Sequence, residues 1–425
     1  MSRRRSVPAA AVATATVLAL ALTACSSKAE EESGNGGGGG GDEGGIATGQ
    51  GVTDDTIALG SLTDMTGPYA TLGTSVTQGQ QLYVKEVNEA GGVCERDLEL
   101  VIRDHGYDAQ QAISAYNELE PDVLGFSQFI GSPFVAAVKD QVDSNDHAVI
   151  LPQAWSASLL GSDYIHMIGT TYDIETINAI DYLMDEQGLS EGDSIGHIFF
   201  EGDYGENAVE GSRYIAEERG LTVVEQQIKP TDEDMTAQVS ALGREGVSAI
   251  MISAGPRQAA SAAGVAAAGG LNVPIIGNNS TYAPQLLATD AAPALLANFY
   301  YASPAWPIGA EEEAPQSLVE AYSAEYPDAL LDSGVTAGYN AAQVFVEALN
   351  GACEAEDLTR EGIAAAMAEL NAYDNGFGIE HDFSDPSQPS SLESVILKPD
   401  ADAVGGSVVE REPAASELAE GFPRG

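Results

Sequence analysis

The residues equipped for covalent or metal chemistry are few: five histidines, three cysteines and a serine, Ser194, in a G-x-S-x-G frame. His105, His147, His166, His197 and His381 include no i,i+4 pair and have no cysteine at ligand spacing, so no metal site is offered. Gly192-Asp193-Ser194-Ile195-Gly196 matches the nucleophile frame and resembles the Gly-Asp-Ser blocks of some esterases, which would make Ser194 an acyl-transfer nucleophile. Such an elbow needs a strand before the serine and a helix after it. Here the apolar strand pattern at 195–200 follows Ser194, and the only Asp-x-x-His, Asp163 to His166, precedes it, opposite to the esterase order. Catalysis is not expected, and no cofactor is called for.

Cys25 carries a different chemistry. Arg3, Arg4 and Arg5 precede an apolar run at 9–22, too short to span a ~30 Å hydrocarbon core, and the run ends in Leu22-Thr23-Ala24-Cys25. This is a signal peptide over 1–24. Its end resembles the bacterial lipobox, which implies diacylation of Cys25 and anchoring on the outer face of the cytoplasmic membrane; a secreted protein with an unpaired cysteine is the alternative. A Gly-rich flexible linker follows at 25–51, nine of the twelve positions 34–45 being glycine, a composition that behaves as open coil. Its G-x-G-x-x-G matches have no flanking strand and helix and are compositional. Acids outnumber bases 65 to 17, for a formal net charge of −48, which excludes nucleic acid as a partner. The same excess fits either an ordinary acidic exported surface or one adapted to high salt.

The elements that must position any site are read from the apolar pattern. Short β-branched runs at 56–62, 98–103, 123–126, 148–151, 195–200, 221–227, 249–253 and 273–277 alternate with Ala-rich amphipathic stretches at 74–89, 109–119, 133–142, 173–187, 206–219, 236–245, 257–268 and 283–287. That alternation is the signature of βαβ units around parallel sheets. Its length exceeds one doubly wound domain and predicts two lobes. The last third changes rhythm, with helices at 314–326, 336–349 and 359–370 and a late strand at 392–397. Two facing parallel sheets bind ligand at the carboxyl ends of their strands, in a cleft between them.

The order of several short motifs carries a resemblance. Ile57-Ala58-Leu59-Gly60-Ser61-Leu62 leads to Thr66-Gly67-Pro68-Tyr69-Ala70, then Gly73, Gly79 and Val87-Asn88-Glu89-Ala90-Gly91-Gly92-Val93. Asp104, Pro152, Asp203-Tyr204-Gly205, Asp234 to Val239 and Pro274-Ile275-Ile276-Gly277 follow in family order. Over about 52–400 the chain resembles the type I solute-binding proteins of ABC transporters, the leucine/isoleucine/valine-binding group. The resemblance implies an α/β protein of two Rossmann-like lobes joined by three crossovers: lobe one from 52–171 and 305–378, lobe two from 172–304 and 379–400, with an acidic tail at 401–425. The crossovers fall near Thr171, 302–304 and 378–379.

It also implies a set of ligand contacts. Ser132 sits just ahead of a helix, as a contact or as a plain cap. Ala154, Trp155 and Ser156 follow the fourth strand, with Trp155 a wall of the site or a packing residue between lobes. Tyr204 would cap the ligand from lobe two. Asp173 could pair with an ammonium or act as a helix N-cap. Asn279 stands where several amino-acid binders have the acid that receives the ammonium, which removes the charge and keeps the hydrogen bond. A branched-chain amino acid leads the ligand classes, ahead of other amino acids, amides or urea-like compounds and small carboxylates. The implied partner is a membrane permease of an ABC importer, and the protein is expected as a monomer. With Cys25 acylated, Cys94 and Cys353 remain; both follow helices that the family topology puts in lobe one, so they are expected to form a disulfide.

Overall fold

The computed structural model describes residues 45–423. The signal segment, Cys25 and the Gly-rich stretch through residue 44 lie outside the described residues.

Lobe one is built on a four-stranded, wholly parallel sheet. Its strands are β1 (Thr56–Thr63), β2 (Asp97–Asp104), β3 (Gly125–Ile130) and β4 (Val149–Gln153), in the order β2-β1-β3-β4. All six residues of β3 are buried, as expected where helices cover both faces of a parallel sheet. The covering helices are α1 (Ala70–Glu89), α2 (Ala109–Leu119) and α3 (Ser132–Gln141). Lobe two begins with α4 (Tyr172–Glu186) and continues through β5 (Ser194–Phe200), α5 (Asp203–Arg219), β6 (Thr222–Ile228), α6 (Thr236–Glu245), β7 (Ala249–Ser253), α7 (Pro256–Gly269), β8 (Ile275–Gly277), α8 (Ala292–Asn298) and β9 (Phe299–Ser303). The chain then returns to lobe one with α9 (Glu313–Glu325), α10 (Ser333–Glu354) and α11 (Arg360–Ala368), and goes back to lobe two with β10 (Ser394–Pro399), β11 (Ser407–Ala414) and α12 (Glu417–Gly421). The second sheet has seven strands in the order β11-β10-β9-β8-β7-β5-β6, with β10 and β11 antiparallel.

Tight seams hold the returning segment on lobe one. A Cβ at Gly338 of α10 would lie 1.9 Å from the Val76 carbonyl oxygen, and one at Gly79 of α1 would lie 2.3 Å from that of Val335. Glycine at both positions lets the two helix backbones touch. Arg360 opens α11 nearly fully buried; its guanidinium donates to the Glu120 carboxylate at 2.5 Å and to the carbonyls of Leu124, Glu120, Asp146 and Val123. A disulfide joins Cys94, beyond α1, to Cys353, near the end of α10.

The structure moves three sequence-drawn boundaries. The linker assigned to 25–51 is docked at its end: Ala47 and Gly49 donate backbone bonds to Glu356 and Leu358, and Ile46 packs on the lobe-one core. The third crossover comes later than 378–379, because Phe383 packs in the lobe-one core and bonds through its N–H to Leu370. Residues beyond 400 are not a tail. β11 closes the sheet against β10, and α12 packs on α4. Alternating exposure along β11 leaves three of its eight residues exposed, and for that reason its apolar content did not stand out. The helix expected at 283–287 is a 3₁₀ turn, Pro284–Ala288.

Candidate functional site

Both sheets have a strand flanked by neighbours reached in opposite directions, β1 between β2 and β3, and β5 between β6 and β7. Loops leaving the carboxyl ends of strands at such points diverge and leave a crevice. A cavity lies there, bounded by residues of both lobes, in the kind of crevice where small-molecule sites are found.

On the lobe-one side, carboxylates shape the loops that present aromatic residues. Buried Asp64 accepts from the N–H groups of Gly67 (2.6 Å) and Tyr69 (2.9 Å), which folds the turn carrying Tyr69. Asp104 accepts from Met65 and Gly106, both at 3.0 Å, and so ties that turn to the loop carrying Tyr107. Burial alone would raise Asp104, but the donors from Met65, Gly106 and Thr66 together outweigh it and hold the carboxyl below its ordinary value. The Tyr69 and Tyr107 rings stand 5.1 Å apart. Gly131, at φ +106, swings the chain from β3 into α3, and Ser132, the first residue of that helix, faces the cavity with its hydroxyl buried beside the Tyr172 phenol. Trp155 donates its indole N–H to the Ile168 carbonyl at 2.8 Å, which fixes its ring as a wall.

Lobe two supplies Tyr172, at the start of α4, and Tyr204, in the first turn of α5, with ring centroids 4.2 Å apart. Ser280 donates to the Tyr204 hydroxyl at 3.2 Å. Burial is the largest cause raising the phenols of Tyr69, Tyr107, Tyr172 and Tyr204 above their ordinary value, so all of them are neutral hydroxyls near neutral pH. Behind this wall lies Glu175, almost fully buried. Its carboxylate accepts from Asn278 Nδ2 (2.8 Å), Asn279 Nδ2 (3.0 Å) and Asn279 N–H (3.3 Å). Burial pushes it up to about 8 against those donors. The chain of bonds continues inward. Ser253 donates to Asn278 Oδ1 (2.5 Å), hence accepts from His197 Nε2–H (2.8 Å), which leaves His197 Nδ1 to accept from Ser212 (2.8 Å). Burial first, with Arg213 second, pushes His197 down to about 3, consistent with a neutral ring.

Of the residues expected at the site, Ser132, Trp155, Tyr204 and Asn279 line the cavity. Ala154, Ser156 and Asp173 do not. Ala154 is turned into the apolar core, and Ser156 caps the turn Ala157–Leu159. Asp173 is consumed structurally: it accepts from the Thr171 hydroxyl, from its neighbour Ile174 N–H at 2.7 Å, and from Asn207 at 2.9 Å, which joins α4 to α5. Ser194 opens β5 at the amino end of the sheet, away from the cleft. The sequence reading missed Tyr69, Tyr107, Tyr172, Glu175 and the inner face of α10. Tyr69 had a signal, since it sits inside the motif Thr66 to Ala70.

The lining contains no Asp, Glu, Lys, Arg or His. Among the described residues no group of three His, Cys, Asp or Glu is placed to hold a metal ion. The wall is a neutral arrangement of hydroxyls, the carboxamides of Gln153, Asn279 and Asn340, and apolar surface, suited to binding and orienting a ligand.

Comparison with known proteins agrees with this architecture. Residues 56–391 match the family model described as periplasmic binding protein. The solved structure of a fatty acid ABC transporter substrate-binding protein from Thermomonospora curvata is 50% identical, with a TM-score of 0.87 over 89% of this chain and 97% of that one. The leucine-, isoleucine-, valine-, threonine- and alanine-binding protein of Pseudomonas aeruginosa is 23% identical over 76% of this chain and 86% of its own length. A Leu/Ile/Val-binding protein homolog from Brucella melitensis is 24% identical over 46% of this chain, an alignment that spans 53% of that relative.

Proposed function

This chain belongs to the periplasmic binding protein family, whose members are extracytoplasmic solute-binding proteins and not enzymes, and from that premise we propose that its cleft carries an amphipathic monocarboxylic acid of the fatty-acid class. The observation that carries the reading is the uncharged wall. An α-amino acid brings an ammonium as well as a carboxylate, and a buried ammonium needs a formal counter-charge. At the position where the amino-acid binders have an acid, Asn279 presents a carboxamide, and the nearest acid, Glu175, already accepts three hydrogen bonds behind it. A lone carboxylate is served by Ser132, Tyr172 and Tyr204, and its chain by Leu72, Val76, Ile130 and Ile168. The 50% identical relative named for fatty acid transport supports the same ligand class.

A branched-chain amino acid is the second reading, favoured by Glu175: a ligand ammonium reaching it past Asn279 would restore its charge. Isothermal titration calorimetry on protein stripped of ligand by unfolding and refolding separates the two. Straight-chain fatty acids are expected to bind and leucine, isoleucine and valine to give no heat; the reverse pattern refutes the proposal. In the same reading Cys25 anchors the protein to the outer face of the membrane, and the loaded lobes deliver the ligand to an ABC permease. Membrane fractionation of wild type against Cys25→Ala tests the anchor.

A further inference from the structure

The cavity lining carries a polar pair besides the head-group hydroxyls. α10 turns Thr336 and Asn340 toward it, one helical turn apart on the same face. Their relative exposures are 2% and 4%, and neither Thr336 Oγ1 nor Asn340 Oδ1 has a hydrogen-bond partner among the described residues. Both line the cavity, and between them Ala337 offers a carbonyl that already accepts from Gln153 Nε2 at 3.3 Å. Natural interiors rarely leave two neighbouring buried polar atoms unpaired, and such atoms mark sites of water or ligand. Thr336 and Asn340 belong to lobe one, on the segment that returns after α9, whereas the lining tyrosines come from both lobes.

We propose that Thr336 and Asn340 form a subsite for a hydroxyl group, so that the preferred ligand is a hydroxylated fatty acid; this rests on the fatty-acid reading above. The chemistry selects a hydroxyl over other groups. Asn340 Oδ1 requires a donor, and the Thr336 hydroxyl can supply one; a single ligand O–H donates to the first and accepts from the second. A neutral group fits because Thr336 and Asn340 are themselves uncharged, and one hydroxyl satisfies both of their free atoms. A methyl terminus would bury both polar atoms unpaired, the situation in which sites built for a hydroxyl discriminate most strongly.

The test uses calorimetric titration of the refolded, ligand-free protein with unsubstituted acids from hexanoic to dodecanoic and with their counterparts hydroxylated at each position from C2 to the chain end. At the chain length of tightest binding the hydroxy acid is expected to bind about tenfold or more tightly than the plain acid. In Thr336→Val and Asn340→Leu, with fold checked by circular dichroism, that ratio should fall toward one. Equal affinity of the two series in wild type overturns the subsite and leaves the fatty-acid reading standing. A ratio that survives both substitutions overturns the assignment to these residues. Binding of neither series overturns the fatty-acid reading and the subsite together. The wild-type comparison decides the matter even where one variant fails to fold.

Discussion

The two lobes bring tyrosines to one cleft by opposite means. Lobe one holds Tyr69 and Tyr107 on loops wrapped around Asp64 and Asp104, carboxylates at sheet ends that backbone N–H groups surround. Lobe two sets Tyr172 and Tyr204 on the first turns of α4 and α5 and backs them with a buried polar chain from Ser212 through His197, Ser253 and Asn278 to Glu175. The first arrangement needs its acid ionised, and Asp104 is held below its ordinary value. The second buries its acid so deeply that Glu175 is raised instead. Lobe one is also assembled from two separated stretches of chain, and for that it uses a disulfide and the buried Arg360; β9 and β10 pair directly to do the same in lobe two. The lesson is that a lobe built from distant segments relies on a few concentrated ties, while one closed by strand pairing spreads the task along a ladder.

The sharpest way to break this contrast is Arg360→Ala, which strands several buried carbonyls and the Glu120 carboxylate. A loss of about 3–5 kcal/mol is expected in urea denaturation, with lobe one opening first by hydrogen exchange. Uniform loss of protection in both lobes would mean that they do not fold as distinct units.

Removing the covalent tie comes next. Cys94→Ser with Cys353→Ser should cost about 2–4 kcal/mol, again confined to lobe one, as hydrogen exchange of α1 and α10 will read.

For the cleft itself, Ser132→Ala and Tyr204→Phe remove one hydroxyl from each lobe. Each should weaken ligand binding by about 1–3 kcal/mol in calorimetry with the melting temperature of the free protein nearly unchanged. If only the lobe-one change matters, the carboxylate is held by one lobe alone.

The pH response tests the electrostatic half of the contrast, and here the lobes should differ in sign. Glu175 is raised on folding from its unfolded value of 4.5 to about 8, so its contribution to stability is complete below about pH 4.5 and is lost as pH climbs toward 8. Asp104 is lowered on folding from 3.8, so its contribution is present above that value and is lost as pH falls below it. Chemical denaturation across pH should therefore show Glu175→Gln flattening the decline between mild acid and pH 8, and Asp104→Asn reducing the loss at strongly acidic pH. Superimposable pH profiles for wild type and both variants would remove the electrostatic half of the contrast.

Much of this was legible from the chain. Alternating β-branched and amphipathic runs placed every strand from β1 to β8 within a few residues, because parallel strands buried on both faces read as continuous apolar runs. β9 and β11 were not recognised: Phe299–Ser303 abuts a crossover, and β11 alternates polar with apolar residues. The succession of short motifs fixed two lobes and put Ser132, Trp155, Tyr204 and Asn279 near strand ends, where loops must converge. The pair Cys94 and Cys353 followed from having two cysteines left in an oxidising compartment.

What composition and pattern could not decide is which side chain faces the cleft. Asp173 and Glu175 stand two residues apart in the first turn of α4, about 200° apart around the helix, and nothing local distinguishes them. Packing of α4 on α5 turned Asp173 to Asn207 and left Glu175 beneath Asn278 and Asn279. The inner face of α10 was equally hidden. Thr336 and Asn340 read as ordinary polar positions until the seam of Gly79 and Gly338 sets the rotation of α10 against α1 and presents both to the cavity. The sequence by itself determined the periodicity and the lobes, which depend on neighbours along the chain. Only the tertiary structure decided the chemistry of the cleft, because that depends on helix rotations set by contacts between residues hundreds of positions apart.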